Sequence, residues 1–254
     1  MGQYLSAVTS FNKEVTLSVF IDFSKAFDRI SHNILFHKLD RYGIRGTALN
    51  WFISYLTDRS FYVNCNDVNS AIKLTDGLGV PQGSILGPIL FLVYINDLPS
   101  CLTHSKSVLY ADDTTLYLSG ISPDALANTM NSELGDLEKW CKINGLTINP
   151  DKTKYMLLSH KKSNTSIKLL LNKKSISRVS NFKFLGVHID ENLSWATHLH
   201  HLKIKLGQGV YVLNRVKNCM PQSVRLMLYY SLIHSHMSYG CILWGNFLNN
   251  MQNQ

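Results

Sequence analysis

The run Val108-Leu-Tyr-Ala-Asp-Asp-Thr-Thr-Leu-Tyr-Leu118 constrains this chain more than any other stretch, because strand-forming residues flank two adjacent carboxylates. The β-branched, aromatic and aliphatic side chains on both sides predict a hairpin with Asp112 and Asp113 as its tight turn. A turn chosen for shape alone would favour Asn-Gly or Asp-Gly. Two like charges side by side repel, and one pKa rises unless a cation neutralises them, so the pair points to a bound metal. Against this, Asp is a common turn residue, and an isolated pair is read first as a plain turn.

A second acidic strand end shifts that balance. Val15-Thr-Leu-Ser-Val-Phe-Ile-Asp-Phe23 is a strand by composition and near-alternation, and it delivers Asp22 at its C-terminal end, where α/β folds gather their chemistry. Hard divalent cations such as Mg²⁺ take oxygen ligands, usually one or two carboxylates plus substrate phosphates and water. Asp22, Asp112 and Asp113 are therefore the expected metal ligands, with two ions roughly 3.5–4 Å apart, as in in-line nucleotidyl transfer. Mg²⁺ is the expected ion, with Mn²⁺ as its substitute. One ion would activate a primer 3′-hydroxyl and the other would stabilise the departing pyrophosphate.

Phe20-Ile-Asp-Phe-Ser-Lys-Ala-Phe-Asp28, Gly79-Val-Pro-Gln-Gly-Ser-Ile-Leu-Gly-Pro88 and Tyr110-Ala-Asp-Asp113 follow one another in this order. Together they resemble the successive palm motifs of reverse transcriptases, and in flavour those of non-LTR (LINE-type) retrotransposons of the jockey-like group. The resemblance implies an RNA-directed DNA polymerase that takes an RNA template, a DNA primer and deoxynucleoside triphosphates. It implies an α+β fold: a right-hand polymerase palm over residues 1–190, its antiparallel sheet packed on helices, then a small helical thumb over 191–254. It also implies site roles. Phe27, five residues beyond Asp22, would pack under the sugar of the incoming nucleotide and reject a ribose 2′-hydroxyl. The backbone of Phe23, Ser24, Lys25 and Ala26 would approach the metals and triphosphate. Gln82 would touch the nucleotide and template, with Gly83 letting the backbone come close. Lys152, or Lys154 in its stead, would be a general acid toward pyrophosphate. Phe184, Leu185 and Gly186, in a stretch read as a strand containing a glycine, would form the primer grip. Bland alternatives stand beside these: Phe27 as core, Gln82 in a plain surface turn, Lys152 as a solubilising lysine, Asp28 as a helix-start residue rather than a metal ligand.

Charge is divided unevenly along the chain. Its net charge is +8, with residues 1–150 carrying 11 Lys and Arg against 14 Asp and Glu, and residues 151–254 carrying 14 against 3. A mildly acidic half that holds the carboxylates thus precedes a basic half suited to a phosphate backbone, although a solvated lysine-rich surface has the same composition. The five cysteines are scattered without a Cys-x-x-Cys, which argues against a zinc site or a disulfide framework and fits an intracellular setting, nuclear or cytoplasmic. The longest apolar run, Ile85 to Ile95, is short and holds Gly87 and Pro88, so no membrane span is expected.

Helical patterns fill the intervals. Ser31 is placed to cap a helix ending at Gly43, with Leu35, Leu39 and Tyr42 on one face, and a second runs from Thr47 to about Leu56. Phe61 to Thr75 reads as a hairpin, and Ile85 to Leu98 as an apolar helix buried against the sheet. Ser122-Pro123 opens a long helix with Leu126, Met130, Leu134, Leu137, Trp140 and Ile143 as its core stripe. From Ser194 the pattern is helical, with breaks near Met220-Pro221 and Gly240 and with His198, His200 and His201 read as polar surface. Only about 21 residues precede Asp22, too few for the fingers that family members place there. A retroelement remnant that binds nucleic acid without synthesis is therefore the alternative expectation. A viral RNA-copying polymerase is disfavoured by Tyr110-Ala111 ahead of the acids and by Phe27.

Overall fold

The computed structural model describes residues 15–159 and 167–245; the parts of the expected palm and thumb at 1–14, 160–166 and 246–254 lie outside the described residues. The chain forms two compact units. One comprises Leu17–Tyr155 and Ser166–Arg178, the other the described parts of Met1–Thr16, Met156–Thr165 and Val179–Gln254.

A five-stranded sheet lies mostly in the first unit. Its strands are β1 (Val15–Ile21), β2 (Lys106–Tyr110), β3 (Asp113–Gly120), β4 (Lys154–Leu158) and β5 (Ser177–Arg178), in the order β5-β4-β1-β3-β2. β2 and β3 are an antiparallel hairpin, whereas β5 joins β4 in parallel at the opposite edge. Central β1 is buried from Thr16 to Ile21, and β3 from Thr114 to Leu118. Both faces of these strands are covered, which is why their sequences alternate only weakly between apolar and polar.

Helix α1 (His32–Arg41) buries Leu35 and Leu39, while Tyr42, expected on the same face, stays half-exposed and accepts a hydrogen bond from Asn96 Nδ2 at 2.9 Å. Ser31 holds the N-cap position without a side-chain capping bond; its N–H donates instead to Tyr94 Oη at 3.3 Å. Helix α2 (Thr47–Leu56) leads into a ribbon in which Ser60–Phe61 pairs with Lys73–Leu74 and Asn64–Cys65 with Val68–Asn69. The ribbon reverses at Asn66 and Asp67, both at positive φ, as a two-residue hairpin loop requires. Helix α3 (Leu86–Ile95) buries Leu90, Phe91, Tyr94 and Ile95 but leaves Ile89 and Leu92 about half exposed, so one face only of this apolar helix is covered.

Helix α4 (Pro123–Ile143) starts as the sequence predicts, with Ser122 Oγ accepting from the Ala125 N–H at 3.4 Å. Leu126, Met130, Leu134, Leu137 and Trp140 are buried, each such side chain contributing roughly 1.5–3 kcal/mol, whereas Ile143 at the helix end is exposed.

The second unit holds a hairpin and helices. Where the sequence suggested one strand, β6 (Asn181–Phe184) and β7 (Val187–Asp190) pair antiparallel. The chain reverses between them because Leu185 and Gly186 adopt φ of 46° and 85°. Helix α5 (Ala196–Val216) packs on β7 and on the π-helical turn Tyr230–His234, which continues α6 (Gln222–Tyr229) and leads into α7 (Ser235–Ser238). Gly209 permits that approach, since a Cβ there would stand 2.8 Å from Ile233 Cγ1. His198 is buried rather than surface-lying: it accepts from the His188 N–H at 3.4 Å and sits against Trp244.

Candidate active site

β1 and β3 are adjacent strands, Asp22 directly follows β1, and Asp113 is the first residue of β3. The turn lies one residue earlier than the sequence suggested. Tyr110 pairs with Asp113, so the two loop residues are Ala111 and Asp112. Two-residue hairpin loops demand positive φ at their first position, and Ala111 supplies it at 51°. Asp112 therefore stands on the loop and Asp113 on the strand. Burial, then the neighbouring carboxylates of Asp112 and Asp22, push the Asp113 carboxyl above its ordinary range. Asp112 and Asp22 thus both lie close enough to Asp113 to act on its carboxyl.

Their chemistry fits a hard cation, because every donor is a carboxylate oxygen and Asp113 is acted on by two further carboxylates. Among the described residues, no group of three or more His, Cys, Asp and Glu is close enough to hold an ion alone. An ion bound by these acids would complete its shell with phosphate and water oxygens, as Mg²⁺ commonly does.

The loop before β4 clasps Asp22 through its backbone. Thr153 Oγ1 accepts from the Asp22 N–H at 3.3 Å, Asn149 N–H donates to Asp22 O at 2.8 Å, and Phe23 bridges Ile148. Ser24 N–H donates to Thr147 O at 2.8 Å, so this donor in the Phe23–Ala26 stretch is already paired. Lys25 takes a left-handed φ of 51°, and Phe23 and Ala26 are buried. Asn149 Oδ1 accepts from the Asp151 and Lys152 N–H groups, and Lys152 projects from this loop with an exposed side chain. Lys154 is occupied, donating to Asp151 O at 2.6 Å and Ser177 Oγ at 2.7 Å.

Phe27 is half-buried and stacks on buried Phe91 with ring centroids 4.6 Å apart. Gln82 and Gly83 are exposed on the glycine-rich segment, Gly83 at φ 81°, and Gln82 Nε2 donates to Asp28 Oδ1 at 2.8 Å. Asp28 lies in the first turn of a short 3₁₀ helix, Ala26–Arg29. A groove of about 640 Å³ is lined by Asp28, Arg59, Phe61, Asp76, Pro81 and Gln82 among others.

In the second unit, Phe184 is buried and Leu185-Gly186 forms the hairpin tip. Tyr239 Oη donates to Leu185 O at 2.6 Å, and its ring would be 3.3 Å from a Cβ at Gly186. The two residues are 54 positions apart in the chain.

Glu133 is another residue that sequence reasoning missed. It lies on α4, is 3 % exposed, and accepts from the N–H groups of Thr103 (3.0 Å), His104 (2.8 Å) and Ser105 (3.4 Å) and from Ser105 Oγ (2.6 Å). It thereby fixes the three residues that lead into β2 and the acidic hairpin. A glutamate facing the stripe of Met130, Leu134 and Leu137 was the available signal.

Residues 5–189 match the family described as "Reverse transcriptase (RNA-dependent DNA polymerase)". The chain is 31% identical over 252 residues to a probable RNA-directed DNA polymerase from transposon BS of Drosophila melanogaster, covering 92% of this chain and 27% of the relative. To the RNA-directed DNA polymerase from mobile element jockey of the same species it is 27% identical over 248 residues, covering 92% and 26%. To the probable polymerase from transposon X-element, also of that species, it is 29% identical over 253 residues, covering 96% and 27%. The chain therefore spans about a quarter of the length of these curated relatives. Among solved structures it is similar to apo telomerase from Candida tropicalis, with a TM-score of 0.53 at 13% identity over 76% of this chain and 36% of that one.

Proposed function

The chain belongs to the reverse transcriptase family, in its non-LTR retrotransposon branch, and from that premise we propose that it carries a nucleotidyl-transfer centre extending a DNA primer on an RNA template. Its α+β architecture is that of right-hand polymerases, and no described helix is long and apolar enough to cross a membrane. The observation that carries the proposal is the placement of Asp22 directly after one strand, of Asp113 at the start of its neighbour and of Asp112 on the adjoining turn, close enough that both other carboxylates act on Asp113.

In this reading Asp22, Asp112 and Asp113 would hold two Mg²⁺ ions, with Mn²⁺ as a substitute. Ions bound there would supply Lewis acidity to the attacking hydroxyl and to the phosphate oxygens. The chain's own groups do the rest. Phe27, braced by Phe91, presents a flat apolar surface to the sugar, where an added ribose hydroxyl would lose its hydration. Phe23 to Ala26 and Gln82-Gly83 bound the nucleotide site, and Lys152 delivers a proton to the departing pyrophosphate. Residues 1–190 are assigned as palm and 191–254 as helical thumb. Phe184, Leu185 and Gly186 support the primer end, the tip shaped by its positive φ angles and held by Tyr239.

Purified protein with Mg²⁺, an RNA template, a DNA primer and deoxynucleoside triphosphates should extend the primer, and Asp112→Ala should abolish extension. Equal activity in that variant refutes the site. Salt-sensitive nucleic-acid binding with no extension by the unaltered chain would replace this reading with binding alone.

A further inference from the structure

We infer that Asp28 is a positioning residue that decides which end of the Gln82 side-chain amide is offered to the nucleotide, an inference that rests on the polymerase reading of Gln82. The two residues are 54 positions apart, yet the Gln82 amide nitrogen donates to the Asp28 carboxylate at 2.8 Å. Their backbones are joined independently of that bond. Gly79 N–H donates to Ile30 O at 2.8 Å, Val80 N–H to Phe27 O at 3.0 Å, and His32 N–H to Gly77 O at 3.0 Å. Gly79 makes the join at φ 78°, and a Cβ there would lie 3.1 Å from both Cα and O of Asp28. A buried ring nitrogen of His32 reaches Gly79 O at 2.7 Å, and Phe27, next to Asp28, is held by its stack on Phe91. Both side chains thus spring from fixed anchor points, so their meeting is built into the scaffold.

The direction of the amide follows from chemistry. An ionised carboxylate only accepts hydrogen bonds, whereas a primary amide has a donor end and an acceptor end. Facing Asp28, Gln82 must present its NH₂, which leaves the carbonyl Oε1 as the end available to a ligand in the groove the two residues share. Gln82 then recognises a hydrogen-bond donor on the incoming nucleotide. With Asn at position 28 the partner both donates and accepts, so either end of Gln82 could turn outward and the preference would be lost.

Two measurements test this. In steady-state primer extension, Asp28→Asn should raise KM for the deoxynucleotide about twofold with kcat unchanged, because a lost preference leaves the competent end outward about half the time. The same substitution in a Gln82→Ala background should add nothing, because no amide remains to be oriented. A full, multiplicative effect in that background, or an effect on kcat alone, overturns the inference. In ¹⁵N-glutamine-labelled protein, the side-chain amide of Gln82, identified by its disappearance in Gln82→Ala, should show one proton shifted and protected from exchange, and Asp28→Ala should remove both features. An amide unmoved by Asp28→Ala overturns the inference while leaving the polymerase reading intact. Failure of the unaltered chain to extend any primer removes the polymerase reading, and with it the nucleotide role assigned here, whatever the amide shows.

Discussion

Replacing Glu133 by Gln is the most quantitative test of how the acidic hairpin is held. The carboxylate accepts four hydrogen bonds, three of them from consecutive backbone N–H groups, and is 3 % exposed. Burial works against its charged form, but the Ser105 hydroxyl and the N–H groups of His104, Thr103 and Ser105 outweigh it, holding the carboxyl below its usual range. Gln keeps one carbonyl oxygen for Thr103 and His104, weakens those bonds by losing the charge, and turns an NH₂ toward the Ser105 N–H. Charge-assisted bonds are about twice as strong as neutral ones, and one buried donor left unmet costs about 1–3 kcal/mol, so a loss of about 2–3 kcal/mol is expected. For a chain of this size that lowers Tm by roughly 4–12 °C. A depressed folded pKa stabilises the fold above the unfolded value near about 4.3 and loses that contribution as pH falls through the folded value. Thermal unfolding followed by circular dichroism should therefore show a gap between Glu133→Gln and the unaltered chain that is full at neutral pH and narrows below about pH 4. A Tm within about 1 °C at neutral pH, or a gap that ignores acid, would refute the reasoning.

Ala111→Gly should raise stability by up to about 1 kcal/mol, because an L residue at positive φ costs roughly 1–2 kcal/mol and glycine's added chain entropy returns about half of that. A lower Tm would mean that Ala111 does not occupy that conformation. Removing the exposed cations Lys203 and Lys205 of α5 together should weaken RNA binding and reduce the slope of log K against log salt by about two. An unchanged slope assigns the phosphate contacts elsewhere.

Much of the fold was legible because its motifs are local. β1, the acidic hairpin, α1, α2 and α4 each declare themselves by strand composition or by apolar spacing between capping residues and glycines. The position of the acidic turn was missed by one residue, since composition treats Ala111 as an unlikely bearer of positive φ while the pairing of Tyr110 with Asp113 demands it. The hairpin at 181–190 was read as one strand because Leu185 hides half of a turn whose other half is Gly186. Glu133, His198 and the hold of Tyr239 on Leu185 depend on partners between 10 and 54 positions away, beyond the reach of any local pattern. The convergence of Asp22 with Asp113 could be expected from chemistry, but the clasp of Asp22 by Thr153 and Asn149 could not.

The order of the sheet has a consequence for how the protein is made. Of these strands β1 is synthesised before the others, yet its neighbours are residues 113–120 on one side and 154–158 on the other. It must wait, with one flank and then the other unpaired, while the residues between it and those partners are synthesised. Such long-range pairing slows folding and exposes a sticky apolar segment meanwhile, so nascent chains stalled before residue 154 should be prime clients for chaperones.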